Sequence, residues 1–226
     1  MERAKQKGLW SNARDAWREA LGSKRYRWIF LFSAIFFAAS NYLLVHVLAF
    51  SELRDGGEFR DPFLSLFDPI DITWFTFVVT YAATATIAVY LLLRPKRFVF
   101  GMQAYAWMAI FRVWAIYFLP LDPPETILLL DDPFTQAFGS GVIITKDLFF
   151  SGHTSTAFLY FLLSDRRDLR SYFLASGIVV GACVLLQHAH YTIDVIAAPF
   201  FSYAAYRLTV LYDREFFGIR ETYERY

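Results

Sequence analysis

The chain has 226 residues and a formal net charge of +1, and 57% of its residues are hydrophobic, including 25 Phe and 14 Tyr. A soluble domain normally contains about 45–50% apolar residues. Here the excess is gathered into long runs, which argues against an ordinary soluble core. The net charge itself says little, and no nucleic-acid partner is expected. The sequence therefore predicts an integral membrane protein.

Residues 1–27 are predicted to form a polar, charged N-terminal arm. No small-residue cleavage site follows the first apolar run, so this arm does not resemble a cleavable signal peptide. Residues 8–21 fit an amphipathic helix on the inner membrane surface, and they fit a solvated cytoplasmic arm about equally well.

Six apolar segments follow, and a membrane-spanning helix needs about 20 mostly apolar residues. The predicted spans are residues 28–50, 72–93, 98–119, 148–163, 171–187 and 190–210. The runs are continuous rather than alternating, which disfavours a closed β-barrel. The predicted fold is therefore all-α, an integral membrane bundle of six transmembrane helices over residues 28–210, with a tail at 211–226.

Basic residues are concentrated on one side of this predicted bundle. Eighteen of the 22 Lys and Arg residues lie in the N-terminal arm, the second and fourth connections and the C-terminal end. Arg54, Arg60 and Lys146 lie on the opposite side, and Arg112 lies inside the third span. Because basic loops stay cytoplasmic, we expect both termini in the cytoplasm. The acidic connections are then expected on the outer or lumenal face of a plasma, inner or Golgi-type membrane.

The third connection, residues 120–147, is the longest on the predicted outer side. Its Leu121-Asp122-Pro123-Pro124 and Gly139-Ser140-Gly141 stretches are typical of turns, and we expect the connection to cover part of the site. The single cysteine, Cys183, lies in the fifth span and has no partner for an intrachain disulfide. Small residues in the same span permit close helix packing, either inside one bundle or between two copies in a homo-oligomer.

Two short motifs carry ionisable groups on the predicted outer side. Ser151-Gly152-His153-Thr154 lies at the outer end of the fourth span, and His190-Tyr191-Thr192-Ile193-Asp194 at that of the sixth. Ionisable groups in membrane segments are costly, which makes them functional candidates. On a helix, His190 and Asp194 would share a face with Cβ atoms about 5–6 Å apart, where the carboxylate can fix the imidazole tautomer. The other ring nitrogen is then available to attack an electrophile.

Two further side chains are expected near the same face. His153 supplies a second imidazole, suited to proton transfer near neutral pH. Arg112 is a cation in an otherwise apolar span, and its planar fork suits a phosphate. A nucleophile, an acid–base group and an anion holder together predict phosphoryl transfer through a histidine.

Other interpretations of the histidines stay open. His153, His188, His190 and Asp194 could together hold a divalent ion. However, His188 and His190 are two residues apart and would lie on different faces of a helix. His46, in the first span, fits a packing or hydrogen-bonding role.

Both motifs resemble those of the sphingomyelin synthase family, which belongs to the phosphatidic acid phosphatase type 2 (PAP2) superfamily. Residues 146–154 are similar to the family's G-D-x-x-x-S-G-H-T, and residues 190–194 are similar to its H-Y-T-x-D. Arg112 followed by Leu119-Pro120 resembles the family's third-span arginine and subsequent Leu-Pro. The resemblance extends from the third span to the sixth.

The resemblance implies a role for each motif residue. His190 would be the nucleophile that takes the phosphorylated head group, Asp194 its orienting base, and His153 the acid–base partner of the alcohols. The candidate substrate-binding residues are Arg112, Lys146, Asp147, Ser151 and Tyr191. Family members move phosphocholine or phosphoethanolamine from a glycerophospholipid to ceramide and release diacylglycerol, without a metal or another cofactor.

Some positions depart from the family pattern. Lys146 replaces the usual glycine, and Ala189 replaces an acidic residue of the animal enzymes, which leaves the head group undefined. The chain also lacks the phosphatase pattern K-x6-R-P, P-S-G-H and S-R-x5-H, because Phe150 precedes Ser151 and Cys183-Val184 stand in place of Ser-Arg. The match therefore favours the synthase branch.

Three functions remain open. The first is transfer of a head group from a membrane phospholipid donor to a lipid alcohol acceptor such as ceramide or diacylglycerol. The second is a lipid phosphate phosphatase or phospholipase C-like hydrolase, which would use the same residues with water as the acceptor. The third is a non-enzymatic lipid transporter or scramblase, which is disfavoured because the polar residues cluster at one end rather than lining several spans.

Overall fold

The computed structural model describes residues 8–129 and 144–217. Within these ranges the chain folds into seven α-helices: α1 (Leu9–Gly22), α2 (Lys24–Ser51), α3 (Thr73–Leu92), α4 (Pro95–Phe118), α5 (Gly152–Leu163), α6 (Arg167–Leu186) and α7 (Thr192–Phe217). A short 3₁₀ turn at Leu64–Leu66 and an isolated bridge between Gly57 and Leu121 lie in the connections. The all-α prediction is confirmed.

Five of these helices, α2, α3, α4, α6 and α7, are long and apolar enough to cross a membrane. The predicted fourth span corresponds to α5, which has only 12 residues. Such a helix rises about 18 Å, against a hydrocarbon core about 30 Å thick. The bundle therefore has five long helices and one short one, which agrees roughly with the six-span prediction.

The prediction of a helix from residue 148 is wrong, because the chain is not helical before Gly152. Residues 144–151, which we call the entry segment, run into the bundle, and Leu148, Phe150 and Ser151 are buried. α5 begins after Ser151, whose Oγ accepts a hydrogen bond from Thr154 N at 3.4 Å. Serine is a preferred N-cap residue, so this motif starts a new helix inside the apolar run.

The predicted limits of the other terminal elements also shift. α7 starts at Thr192, so His190 precedes the helix, and it continues to Phe217, inside the predicted tail. α2 begins at Lys24, inside the predicted N-terminal arm. Both helices extend beyond their apolar runs into charged sequence. Hydropathy alone therefore predicts α2 and α7 to be shorter than they are.

The helix predicted in the N-terminal arm is present as α1, and it is docked on the bundle. Trp17 packs edge-on against Tyr26 and Phe98, with ring centroids 6.5 and 5.6 Å away. Its Nε1 donates a hydrogen bond to Leu92 O at 2.7 Å. Trp10, on the same helix, is 63% exposed. α1 is therefore a packed element rather than a detached arm.

The hydrophobic core is formed mainly by α4, α5 and α7, with buried side chains of α3 and α6 also packed into it. Phe100 of α4 and Leu159 of α5 are fully buried within it. Phe150 of the entry segment stacks on Phe201 of α7, with ring centroids 4.2 Å apart. The entry segment is thus part of the core and not a surface loop.

The two glycines of α6 pack inside this single bundle, whereas Ala175 and Ala182 of the same helix are exposed. A Cβ on Gly177 would lie 3.6 Å from Ala157 Cβ of α5, and one on Gly181 would lie 3.0 Å from Val195 Cγ1 of α7. These two positions are occupied by contacts within the chain, and the homo-oligomer stays a prediction.

The connections gather at two opposite ends of the bundle. The arm end holds α1, the α3–α4 turn and the α5–α6 turn, where Arg97 forms an ion pair with Asp165 at 2.7 Å. The motif end holds residues 52–72, 119–129, 144–153 and 187–194, joined by bonds such as Leu128 N to Gln187 O at 2.9 Å. The described part of the third connection therefore lies across the motif end. The predicted turn at Gly139-Ser140-Gly141 lies outside the described residues.

We expect Trp17→Ala to release α1, because the indole supplies both the aromatic contacts and the hydrogen bond to Leu92 O. Trypsin should then cleave detergent-solubilised protein after Arg14 and Arg18 several-fold faster than in the wild type. Trp10→Ala, which removes an exposed ring from the same helix, is the control and should not change the rate. Equal cleavage rates in all three proteins would show that Trp17 does not hold α1.

Candidate active site

The entry segment, residues 144–151, brings backbone polar groups into the bundle, where each needs a hydrogen-bond partner. Glu52, just after α2, accepts hydrogen bonds from the backbone N–H groups of Thr145 and Lys146, both at 2.7 Å. Its second carboxylate oxygen accepts one from Thr145 Oγ1 at 2.8 Å. Glu52 therefore fixes the start of the entry segment.

Arg112 of α4 is only 4% exposed, and its guanidinium holds the end of the entry segment. It donates to Phe150 O at 2.6 Å and forms an ion pair with Asp147. A buried charge needs a partner, and Asp147 provides one. Gly152 lies so close that a Cβ there would be 2.6 Å from Arg112 Nη1. Arg112 therefore has a structural role in positioning the first motif, separate from its predicted role in binding a phosphate.

His190 and Asp194 come together as predicted, but not through a shared helix face. His190 precedes α7, and Asp194 is the third residue of that helix. Asp194 Oδ2 lies 3.4 Å from His190 Nδ1 and accepts a hydrogen bond from Tyr191 N at 2.9 Å. A third-position carboxylate that reaches back to the N-cap N–H is one half of a capping box. The same carboxylate thus caps α7 and contacts Nδ1 of His190, so Nε2 is the ring nitrogen left for chemistry.

The two motifs are joined directly through the backbone. Ser151 N donates a hydrogen bond to Asp194 O at 3.1 Å. His190 is 4% exposed and Asp194 is fully buried. Asp194 Oδ1 and His190 Nδ1 are buried without a hydrogen-bond partner among the described residues. Because buried polar atoms are normally paired, this spare capacity is typical of a functional site.

Asp61, in the connection between α2 and α3, caps α7 from outside the helix. Its Oδ2 accepts a hydrogen bond from Thr192 N at 2.6 Å, and its Oδ1 accepts one from Thr192 Oγ1 at 3.1 Å. Oδ1 also accepts a hydrogen bond from Phe63 N at 2.9 Å. The unpaired N–H groups and the dipole of a helix N-terminus favour a carboxylate. Asp61 therefore fixes the start of α7 two residues after His190.

These contacts also set the ionisation of Asp61. Burial acts to raise the pKa of this carboxyl, but the hydrogen bonds from Thr192, Phe63 and Leu64 outweigh burial and hold the pKa below its usual value. Asp61 is therefore ionised at neutral pH, where it works as a cap.

A cavity of about 320 Å³, which we call the bundle cavity, lies between α2, α3, α4 and α5. Arg112, Asp147 and His153 line it near the motif end. Tyr105 and Tyr160 also line it, each seven residues, or about two helical turns, nearer the arm end. The first motif therefore faces a space that extends along the helices into the bundle.

A larger cavity of about 820 Å³, which we call the end cavity, lies at the motif end beside Tyr191. Its charged and aromatic lining consists of Glu58, Asp61, Asp68, Glu125, Arg60, Phe59, Phe67 and Tyr191. His188 also lines it, and burial lowers the pKa of this histidine, so it is neutral at pH 7. Four carboxylates against one arginine make the end cavity electronegative, which suits a cationic group.

The polar ends of two predicted substrate-binding residues, Lys146 and Tyr191, bind the third connection. Lys146 Nζ forms an ion pair with Asp122 at 2.7 Å. Tyr191 OH donates a hydrogen bond to Asp122 O at 2.8 Å. These bonds hold residues 120–129 against both motifs, and a role of Lys146 and Tyr191 in binding substrate stays a prediction.

The structure separates the histidines that the metal hypothesis grouped together. His188 lines the end cavity, with Nδ1 2.5 Å from Thr126 Oγ1, whereas His153 lines the bundle cavity. Over residues 8–129 and 144–217, no group of three or more His, Cys, Asp or Glu side chains is arranged to hold a metal ion. His46 Nδ1 lies 2.8 Å from Tyr42 O on the same helix, which fits the predicted hydrogen-bonding role.

Residues 146–211 match the family model of the PAP2 superfamily C-terminal domain. The match supports the PAP2 superfamily. The matched range contains every candidate site residue except Arg112, and members of this superfamily are typically lipid phosphatases or phosphotransferases. No curated protein and no solved structure matches the chain. The narrower resemblance to sphingomyelin synthases stays a prediction.

Three acidic residues that fix the candidate site could not be recognised from the sequence, namely Glu52, Asp61 and Asp122. All three lie in polar connections, where carboxylates usually face solvent. Asp61 contacts Thr192 across 131 positions of the chain, a distance that no local pattern encodes. The only local signal was the position of Glu52 immediately after a long apolar helix.

We expect Asp61→Asn to destabilise the protein by about 0.3–2 kcal/mol, because the amide removes the negative charge from the N-terminus of α7 and leaves only one acceptor oxygen, and to lower turnover by displacing His190. The folded-state pKa of Asp61 is depressed, so its stabilising effect is present above the unfolded pKa of about 3.9 and disappears as pH falls through the lower folded value. Melting temperatures of the two proteins should therefore differ from pH 8 to 5, begin to converge below about pH 4, and converge fully only below the folded-state pKa of Asp61.

Asp68→Asn is the control for this experiment. Asp68 lines the same end cavity but is exposed, so its neutralisation should leave the melting temperature unchanged. An Asp61→Asn protein as stable as the wild type at pH 7 would contradict the capping role.

We expect Gly152→Ala to displace the Arg112 guanidinium, because the added Cβ would lie 2.6 Å from Nη1. Overpacking of this kind costs about 1–3 kcal/mol, and turnover should fall with stability. Gly177→Ala is the matched control, since its Cβ would meet Ala157 at an ordinary 3.6 Å, and it should be neutral. Thermal unfolding that does not separate the two variants would contradict the close approach of Arg112.

Proposed function

We propose that the protein is a membrane lipid phosphotransferase. It moves a head group of the phosphocholine or phosphoethanolamine type from a glycerophospholipid to a lipid alcohol such as ceramide or diacylglycerol. The observation that carries the proposal is the placement of Asp194 Oδ2 3.4 Å from His190 Nδ1. This contact orients a buried imidazole whose Nε2 can act as a nucleophile.

In the first step, Nε2 of His190 attacks the phosphorus of the donor. A P–N bond forms, the P–O bond to the diacylglycerol breaks, and the leaving oxygen takes a proton from His153. The positive charge on the imidazole is stabilised by Asp194. The product is diacylglycerol, and the head group is held on His190 as a phosphohistidine.

In the second step, the hydroxyl of the acceptor lipid attacks the same phosphorus. His153, now neutral, takes the hydroxyl proton while the P–O bond forms and the P–N bond to His190 breaks. His190 and His153 then return to their starting states, and the atoms and charges balance without a metal or another cofactor.

The lining of the end cavity favours a zwitterionic head group as the group transferred. Its carboxylates and the rings of Phe59 and Tyr191 provide what a choline or ethanolamine cation needs, namely negative charge and aromatic faces. The cavity lies beside Tyr191, next to His190 in the chain. We infer that it holds the cationic end of the head group while the phosphate meets His190.

A hydrolase is the second candidate, and the same end cavity favours it. Its volume of about 820 Å³ and its polar lining would admit water to the phosphohistidine. The product would then be inorganic phosphate or a soluble phosphoalcohol, and no lipid acceptor would be required.

We also propose that the motif end faces the outer or lumenal side and that both termini are cytoplasmic. Arg94, Arg97 and Arg170 lie near the arm end, which is rich in basic residues, whereas the end cavity is acidic. Basic connections are retained in the cytoplasm. The enzyme would then act on lipids of the outer or lumenal leaflet of a plasma, inner or Golgi-type membrane.

We expect His190→Ala to lower turnover by about a thousandfold or more, because it removes the nucleophile. The assay uses purified protein with head-group-labelled phosphatidylcholine or phosphatidylethanolamine, with and without ceramide or diacylglycerol. Labelled lipid product that needs both the acceptor and His190 would establish the transferase. His46→Ala, which changes an exposed histidine of α2, is the control and should retain activity.

Other outcomes of this assay decide between the candidates. Soluble labelled product without an acceptor would establish the hydrolase. If the protein shows no His190-dependent turnover of either phospholipid, the proposed function is contradicted for these substrates.

A further inference from the structure

The bundle cavity lies where α2 and α3 approach each other with almost no direct contact. α2 packs mainly on α4, and α3 packs mainly on α6. Leu44 and Leu48 of α2 line one side of the cavity, and Thr80 and Thr84 of α3 line another. Both helices are long and apolar enough to cross a membrane, so this gap faces lipid when the protein is embedded.

Thr80 carries an unusual hydroxyl on the wall of this cavity. Thr76, Thr84 and Thr86 each donate a hydrogen bond from Oγ1 to the carbonyl four residues earlier. Thr80 Oγ1 is buried and has no partner within the described part of the chain. An unpaired buried hydroxyl is unfavourable, so Thr80 offers a hydrogen-bonding group to a ligand in this cavity.

Apart from His153, the rest of the cavity lining combines apolar side chains, such as Met108 and Ala109, with polar groups that carry no net charge. Arg112 and Asp147 neutralise each other through their ion pair, and Tyr105, Thr156 and Tyr160 add neutral hydroxyls. Burying an unpaired charge is costly, so such a cavity favours an uncharged ligand with hydrogen-bonding groups. A phospholipid head group fits the electronegative end cavity better than this space.

We propose that the bundle cavity binds the neutral lipid alcohol that accepts the head group, and that this lipid enters sideways from the bilayer between α2 and α3. Its hydrocarbon chain extends out through the gap, because about 320 Å³ holds only part of a lipid. Its hydroxyl lies beside His153, and a carbonyl of its polar part accepts a hydrogen bond from Thr80. The identity of the ligand as acceptor rests on the proposed function, whereas its binding does not require turnover.

The direct test is photolabelling of the protein in phosphatidylcholine vesicles that contain photoactivatable ceramide or photoactivatable diacylglycerol. We expect the label on peptides that contain residues 44–48 or 80–84, and we expect competition by the unlabelled lipid alcohol. Thr84→Phe fills the cavity and should remove this label. Thr86→Phe changes a threonine with the same backbone hydrogen bond on another face of α3 and should retain it.

Two results of the labelling would overturn the inference. One is label confined to other helices, and the other is equal labelling of Thr84→Phe and Thr86→Phe. If the wild type is labelled in the cavity but transfers no head group, the binding site stands and the proposed function fails. If it transfers head groups without label in the cavity, the function stands and this site fails.

Thr80→Val is a second variant that does not depend on filling the cavity. It keeps the side-chain volume and removes only the hydroxyl, so the KM for the acceptor should rise roughly three- to tenfold. The ratio of lipid product to hydrolysed head group should fall accordingly. Because Thr80 Oγ1 has no partner in the described residues, thermal stability should not decrease. A loss of stability, with an unchanged KM for the acceptor, would contradict the role of Thr80.

Discussion

The hydrogen bond from Ser151 N to Asp194 O joins the two motifs, and the arrangement of the whole site depends on it. Ser151 ends the entry segment and caps α5, while Asp194 lies in the first turn of α7. The carboxylate of Asp194 also bonds to Tyr191 N and contacts His190. One fully buried residue therefore sets the positions of His190, the start of α7 and the end of the entry segment, so these parts cannot move independently.

The short α5 is possible only because other elements pair the backbone of the entry segment. Non-helical chain at membrane depth is tolerated only where protein satisfies its polar groups. Glu52 and Arg112 provide those partners, and Asp147 balances the charge of Arg112. A helix that rises about 18 Å starts well inside a hydrocarbon core of about 30 Å. We therefore expect His153, at the start of α5, to lie below the membrane surface, where lipids can reach it. The burial of Arg112 is explained by its structural contacts, independently of catalysis.

The long helices could be predicted from the sequence because a continuous apolar run has one stable form in a membrane. The pair of His190 and Asp194 could also be predicted, although the helix-face reasoning was wrong and a capping interaction brings them together. Ser151, a preferred N-cap residue, indicates the start of α5. Hydropathy alone does not detect this cap and places the helix start too early. The contacts of Asp61 and Glu52 could not be predicted, because they join parts of the chain that meet only after the bundle has packed.

The two cavities differ in charge, and only the bundle cavity is lined by a candidate catalytic residue, His153, which bears on the proposed acceptor. The end cavity is electronegative and large enough to admit water, but His153 does not line it. His153 lines the bundle cavity, where the neighbouring charges of Arg112 and Asp147 cancel. A base activates only a nucleophile within hydrogen-bond reach. An alcohol held in the bundle cavity would therefore lose its proton to His153, whereas water in the end cavity would meet the phosphohistidine without that base. Under the proposed mechanism, this geometry therefore favours transfer to a lipid over hydrolysis, even though water is the more abundant nucleophile.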